Sequence, residues 1–312
     1  MSRLGKSNTN TNTNTNTNTI VSPQAGVSPG VRYNTQEFPK LLVRDEFPAA
    51  LPSNATGKQE EDYGAAQAAV NSVLFRRHWD AELQASVYLN EFIVQNPTWF
   101  EDLAKAITEL HDRLHEQKGE QLRSVLGMSD EREPRFVEII DQHEAEGVLK
   151  YFLGMLMVDS SSAPATYKLM RLGRRIGEVV VMCLKDHFRE PRPSQVCPAI
   201  LPMVDPPITP SFPAGHALQS HLIALLIKAS GRPFVQPSLL FRLSERIAEN
   251  RIVAGLHYEL DNQAGVTAAE MVFERLTALD DTKKNPRCPL FRALLDEAKQ
   301  EGEREHEASH AQ

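Results

Sequence analysis

The chain reads as an all-α protein, a single helical bundle domain behind a low-complexity N-terminal tail. From Glu61 onward apolar residues recur at three- and four-residue spacing, and no stretch alternates apolar and polar residues as a half-buried strand would. Asn8–Thr19 repeats Asn and Thr with nothing to bury, and the Pro-, Gly- and Ser-rich run to Pro52 continues it. Residues 1–60 are therefore expected to be disordered, 61–303 to fold as one domain, and 304–312 to end it as a charged disordered tail.

Taken in order, helical spacing covers Ala65–Phe92, is broken by Asn96-Pro97, and resumes over Thr98–His115 and Arg135–Val158. The run Ser160-Ser161-Ser162 interrupts it again before Pro164–Phe188. Pro191–Pro213 holds eight prolines, and so long and stiff a loop inside a helical domain points to function. Beyond it, helices are expected over His216–Ser230, Pro237–Ile252, Leu260–Leu279 and Pro289–Glu301.

A composition of 41% hydrophobic, 24% charged and 7% aromatic residues can fill an ordinary aliphatic core. A net charge of -7, with Lys and Arg scattered, provides no basic field and argues against nucleic acid as a partner. Cys183, Cys197 and Cys288 are odd in number and contain no CxxC pair. Neither a disulfide framework nor a zinc knuckle is expected, and a reducing, cytoplasmic setting is. No apolar stretch follows the N-terminal charges as in a secretory signal, and no apolar run reaches the ~20 residues of a membrane span. The Asn54-Ala55-Thr56 acceptor pattern is read as chance.

Three stretches carry chemistry: KDHFREPRP with Lys185 and Arg192, SFPAGHA with Gly215 and His216, and RIVAGLHYELD with Arg251, His257 and Asp261. Together they offer cations, backbone donors and two imidazoles, the inventory a tetrahedral oxyanion requires. Lys185 falls in the last turn of its helix, and Pro191 and Pro193 flank Arg192 on a rigid loop. Gly215 and His216 precede an apolar helix, where outward amides seat anions and an imidazole can protonate a leaving oxygen. Arg251 and His257 are six residues apart, about 240° round an ideal helix at roughly 100° per residue. Both can face one ligand only if the helix breaks between them, for which Gly255 is the obvious place. Asp261, four residues after His257, is placed to hold one ring nitrogen and leave the other aimed at the ligand.

The remaining histidines considered, His78, His111, His115, His143, His187 and His221, lack ligand spacing and are read as structural or surface residues. Asp112, Glu116 and the Glu-rich stretch 299–307 are read as solvated helix faces.

In order and spacing, the three stretches resemble the superfamily uniting type 2 phosphatidic acid phosphatases, bacterial acid phosphatases and vanadium-dependent haloperoxidases. The pattern is Lys, six residues, Arg-Pro; then Pro-Ser-Gly-His; then Arg, five residues, His, three residues, Asp. It spans Lys185–Asp261 here, with Ala214 standing where the pattern has serine. The resemblance implies a helical bundle holding phosphate or vanadate between Lys185, Arg192 and Arg251, with a backbone donor from Gly215. It implies a phosphatase acting on phosphate monoesters or diphosphates, with a phosphohistidine on His257, His216 as general acid, Asp261 as support for His257, and no cofactor. The alternative is a haloperoxidase in which His257 is the axial ligand of vanadate and peroxide and halide are the substrates. A third reading is a degenerate member that binds an anion without turnover. Loss of one hydroxyl donor to a charged group costs about 1.5–3 kcal/mol, which weighs more on retained vanadate than on a transient phosphoryl group. Ser211 and Thr209 are candidates to replace that hydroxyl. A small phosphorylated substrate is expected as the partner, with homo-oligomers open.

Overall fold

In the computed structural model, which describes residues 80–144, 146–232, 235–279 and 285–310, every described element is helical apart from one isolated bridge between Leu279 and Pro286. The expected 1–60 tail, and the Ala65–Asp80 part of the first expected helix except Asp80, lie outside the described residues. Helix α1 is Ala81–Gln95 and α2 is Trp99–Glu116, separated at Asn96-Pro97, where Asn96 Nδ2 donates to Phe92 O at 2.9 Å. Helix α3, Lys118–Gly127, follows after the single residue Gln117. Apolar spacing did not reveal it because only Gln121 and Val125 of its residues are buried.

The helix expected over Arg135–Val158 is two, α4 (Phe136–His143) and α5 (Gly147–Leu156). Glu144 is extended, and the chain folds back so tightly that a Cβ on Gly147 would lie 2.5 Å from Asp141 O. Next come α6 (Pro164–Phe188), short α7 (Pro193–Val196) and a 3-10 turn at Pro198–Ile200 inside the proline-rich loop. Helices α8 (Gly215–Ala229), α9 (Pro237–Val253), α10 (Glu259–Thr277) and α11 (Pro289–His310) complete the unit Ala81–Gln312. Helix α11 runs through most of the stretch expected to be a disordered tail.

Helix α6 shows how sequence spacing becomes packing. Leu169, Leu172, Ile176, Val180 and Leu184 are buried at three- and four-residue intervals, each contributing roughly 1.5–3 kcal/mol by leaving water. They join residues of α1, α2, α8, α10 and α11 in the largest apolar cluster. A second cluster brings α5, α6, α8 and α9 together around Phe152, Met170 and Ile223. Helix α8, touching α6, α9 and α10, is apolar nearly all round, as a central helix must be. Its N-terminus and the ends of α6 and α9 therefore meet in the interior.

Two remote glutamates finish helix starts. Glu301 of α11 accepts from Ala165 N at 2.7 Å, Thr166 N at 2.9 Å and Thr166 Oγ1 at 3.0 Å. Glu91 of α1 accepts from Leu290 N at 2.7 Å and Phe291 N at 2.9 Å. Both helices start with proline, so the first free amides fall where these carboxylates sit. Glu301 lies in the Glu-rich stretch read as solvated, yet it is buried. No described helix is long and apolar enough to cross a membrane.

Candidate anion site

At the C-terminus of α6 and in the proline-rich loop, backbone carbonyls hold the first two cations. Prolines bring carbonyls without N–H groups, so the segment carries surplus acceptors. Lys185, buried in the last turn of α6, donates to Pro210 O and to Ser211 O, the latter at 2.8 Å. Arg192 is pinned at its backbone by Gln195 Oε1, 2.7 Å from its N–H. Its guanidinium donates to Pro207 O at 3.1 Å, Thr209 O at 2.9 Å, Leu256 O at 2.9 Å and Thr209 Oγ1 at 3.2 Å. Lys185 keeps one of its three N–H donors beyond these two bonds.

The third cation is positioned by the way α9 ends. Gly255 N donates to Ile252 O at 2.8 Å and Leu256 N to Arg251 O at 3.0 Å, the paired bonds of a Schellman stop, with Gly255 at φ +79. This is the break the spacing of Arg251 and His257 demanded. Arg251 is fully buried and spends Nη2 on Ile139 O at 2.9 Å and Gln142 Oε1 at 3.4 Å. Its Nε and Nη1 have no partner among the described residues. An unpaired buried donor costs about 1–3 kcal/mol, more when charged, so these two atoms mark the place an anion fits.

His257 and Asp261 form the expected arm. Asp261 Oδ2 accepts from His257 Nδ1 at 3.0 Å, Tyr258 N at 3.0 Å and the Ser211 hydroxyl. The bond to Tyr258 N also caps α10, so one carboxylate starts that helix and orients the ring. With Nδ1–H donating to Asp261, His257 Nε2 is left as the lone pair, 3.4 Å from Arg192 Nη1. Ser211 Oγ spends its O–H on Asp261 behind the ring, whereas Thr209 Oγ1 accepts from Arg192 and keeps its own O–H. Ala214 packs with Ala217 and Ala248 at the head of α8. A Cβ on Gly265 would stand 2.6 Å from Ala214 O, so Gly265 lets α10 close against that turn. Gly215 opens α8, where the first amides have no intrahelical acceptor.

His216 is partly exposed, and its Nε2 donates to Gln142 O at 2.8 Å. Gln142, at the end of α4, thus joins His216 to Arg251. Sequence carried no signal for it, since a main-chain oxygen and an amide give no spacing. His143 beside it, read as a surface residue, is exposed as a whole residue, and partial desolvation of its ring, then Arg251 and Arg192, lower its pKa.

The electrostatics bind these residues into one site. Burial, then Lys185, Arg192 and Arg251, hold His257 well below the ordinary histidine range. Burial, Arg251 and His257 do the same to His216. Burial and Arg192 bring Lys185 down to about 7, and burial brings Arg192 and Arg251 to about 10. Asp261 is pushed up to about 6 by burial, against its bonds from Ser211 and Tyr258. Arg192 and Arg251 stay charged at neutral pH while Lys185 and Asp261 titrate near it, so these four groups carry a positive surplus. A tetrahedral dianion, phosphate or vanadate, fits that surplus and the free donors of Arg251, Lys185 and the α8 amides. Lys185, Arg192, Gly215, His216, Arg251, His257 and Asp261 all lie in or beside this one neighbourhood. Searches against protein-family models and curated proteins find no match to the chain.

Proposed function

We propose that the protein hydrolyses phosphate monoesters or diphosphates through His257. The observation that carries this reading is the Asp261 carboxylate 3.0 Å from His257 Nδ1, which favours the Nδ1–H tautomer and so leaves the Nε2 lone pair facing the cations. In the first step Nε2 attacks phosphorus, an N–P bond forms and the P–O bond to the leaving group breaks. Asp261 supports the imidazolium through Nδ1–H, as an orienting carboxylate does. Lys185, Arg192, Arg251 and the α8 amides balance charge on the phosphoryl oxygens.

His216 delivers the proton to the departing oxygen from Nδ1, as an imidazolium whose Nε2–H stays on Gln142 O. Its pKa is held down by burial and Arg251, and a dianion bound to Arg251 opposes the second of these effects. In the second step water attacks phosphorus, the N–P bond breaks and His216 takes a proton from the water. Ala214 supplies no hydroxyl, which matches a site that holds its phosphoryl group briefly.

The test is His257→Ala in an ester-cleavage assay with and without vanadate. Loss of turnover with retained vanadate binding is expected, and vanadate inhibits the unaltered protein. Normal hydrolysis by the variant refutes the mechanism. Vanadate-dependent bromination by peroxide, in place of ester cleavage, would overturn the phosphatase reading in favour of a haloperoxidase. Anion binding with neither reaction would leave the degenerate reading.

A further inference from the structure

Sequence spacing treated His111 and His115 as unremarkable, but the fold gives them a third partner. They stand one turn apart on the same face of α2. Glu190, just beyond the end of α6, places its buried carboxylate against both rings. His111 Nε2 lies 3.2 Å and His115 Nε2 3.1 Å from the same oxygen, Glu190 Oε2, and the two nitrogens are 3.3 Å apart.

That triangle has the dimensions of one face of a metal tetrahedron. Bonds of about 2.0–2.1 Å to zinc imply ligand–ligand edges of about 3.3–3.4 Å in tetrahedral geometry and about 2.8–3.0 Å between adjacent octahedral ligands. Two of the observed edges, 3.2 and 3.3 Å, lie nearer the tetrahedral values, and the third, 3.1 Å, falls between the two sets. Two imidazoles and one carboxylate are also a donor set suited to zinc.

The surroundings hold the three groups in place. His111 packs against Phe188 and Phe212, with ring centroids 4.8 Å and 5.0 Å away. Lys118 pairs with the other carboxylate oxygen, Oε1, which fixes the carboxylate and leaves Oε2 to the histidines. The His115 side chain is 57% exposed, so a fourth position faces solvent. Glu190 remains below the usual carboxylate range, because its bonds from His111 and Lys118 outweigh the opposing effect of burial.

We propose that His111, His115 and Glu190 form a divalent transition-metal site of the zinc type, with an open fourth position. Glu190 also accepts Ser211 N on its main-chain oxygen at 2.8 Å, and Arg192 is two residues further on. The ion would therefore clamp α2 to the loop that carries the cations of the anion site. The proposal stands whether or not that site is a phosphatase.

The experiment uses the full chain without an affinity tag, titrated with zinc by calorimetry and with cobalt(II) in the visible region. One ion per chain is expected, with the intense d–d bands of tetrahedral cobalt. His115→Ala, at an exposed position, and Glu190→Gln should each weaken zinc by at least the roughly 100-fold that marks the upper range for outer-sphere partners. His257→Ala and the double change of His306 and His310 to alanine should leave the bands unchanged. Zinc binding that survives His115→Ala, or that disappears with His257 or with His306 and His310, overturns the proposal. So does the lack of stoichiometric binding, in which case Glu190 is satisfied by its hydrogen bonds alone.

Discussion

Arg251→Met separates what the buried guanidinium does for binding from what it does to the fold. Burial lowers its pKa from the ordinary 12.5 to about 10. At about 1.4 kcal/mol per pKa unit, the charge is disfavoured inside the protein by about 3 kcal/mol. Because the folded pKa is depressed, this cost is borne throughout the neutral range, where the unfolded chain keeps the arginine charged. Methionine of similar length removes the charge but leaves Ile139 O without its donor, a loss of about 1–3 kcal/mol. The net is a gain of about 0–2 kcal/mol, or a Tm between unchanged and about 8 °C higher in a protein of this size. For the unaltered protein, vanadate or phosphate at 100 times its Kd adds about 2.7 kcal/mol. That increment should vanish in Arg251→Met. Differential scanning fluorimetry with and without vanadate reads both effects. A variant that melts well below the parent while keeping its vanadate shift would refute the argument that Arg251 is a ligand-directed charge.

Lys185, held near 7, is largely neutral at pH 8.5, and a bound dianion restores its ordinary preference for the proton. Phosphate binding at that pH should therefore take up a proton, seen as a dependence of the calorimetric enthalpy on the buffer, and Lys185→Met should abolish the uptake. Gly255→Ala forces a Cβ to 2.8 Å from Ile200 Cγ2 at a positive φ, so stability should fall by about 1–3 kcal/mol and vanadate binding should weaken with it. Chemical denaturation and the vanadate-induced Tm shift measure the two, and unchanged values of both would count against the role of the break. Glu301→Gln removes the charge from the start of α6 and leaves one amide or hydroxyl donor facing an NH2 group, so a loss of about 1–2 kcal/mol in urea unfolding is expected. A loss below about 0.3 kcal/mol would show that this carboxylate contributes no more than a surface residue.

The parts of the site that sequence made legible are those governed by local geometry. The angle between Arg251 and His257 required a break, and Gly255 supplies it. The interval from His257 to Asp261 required a shared bond, and it is made at 3.0 Å. Gln142, Gly265 and Glu301 act through a main-chain oxygen, a lack of side chain and a distant helix end, none of which leaves a spacing. Glu190 is 79 residues from His111, so the cluster with His115 exists only after α2 and α6 pack. The split of α4 from α5 was hidden because apolar spacing continues across the turn. Helix α3 was hidden for the opposite reason, since its neighbours bury little of it.

The bonds from Glu301 to the first turn of α6 span 135 and 136 residues of sequence. A ribosome adding about 5–20 residues per second would complete Ala165 roughly 7–27 s before Glu301. During that interval the helix that carries Lys185 in its last turn has its opening amides unclaimed by the carboxylate. Assembly of the cationic pocket is thus tied to docking of a late-made segment, and a nascent chain halted before α11 should take up vanadate poorly.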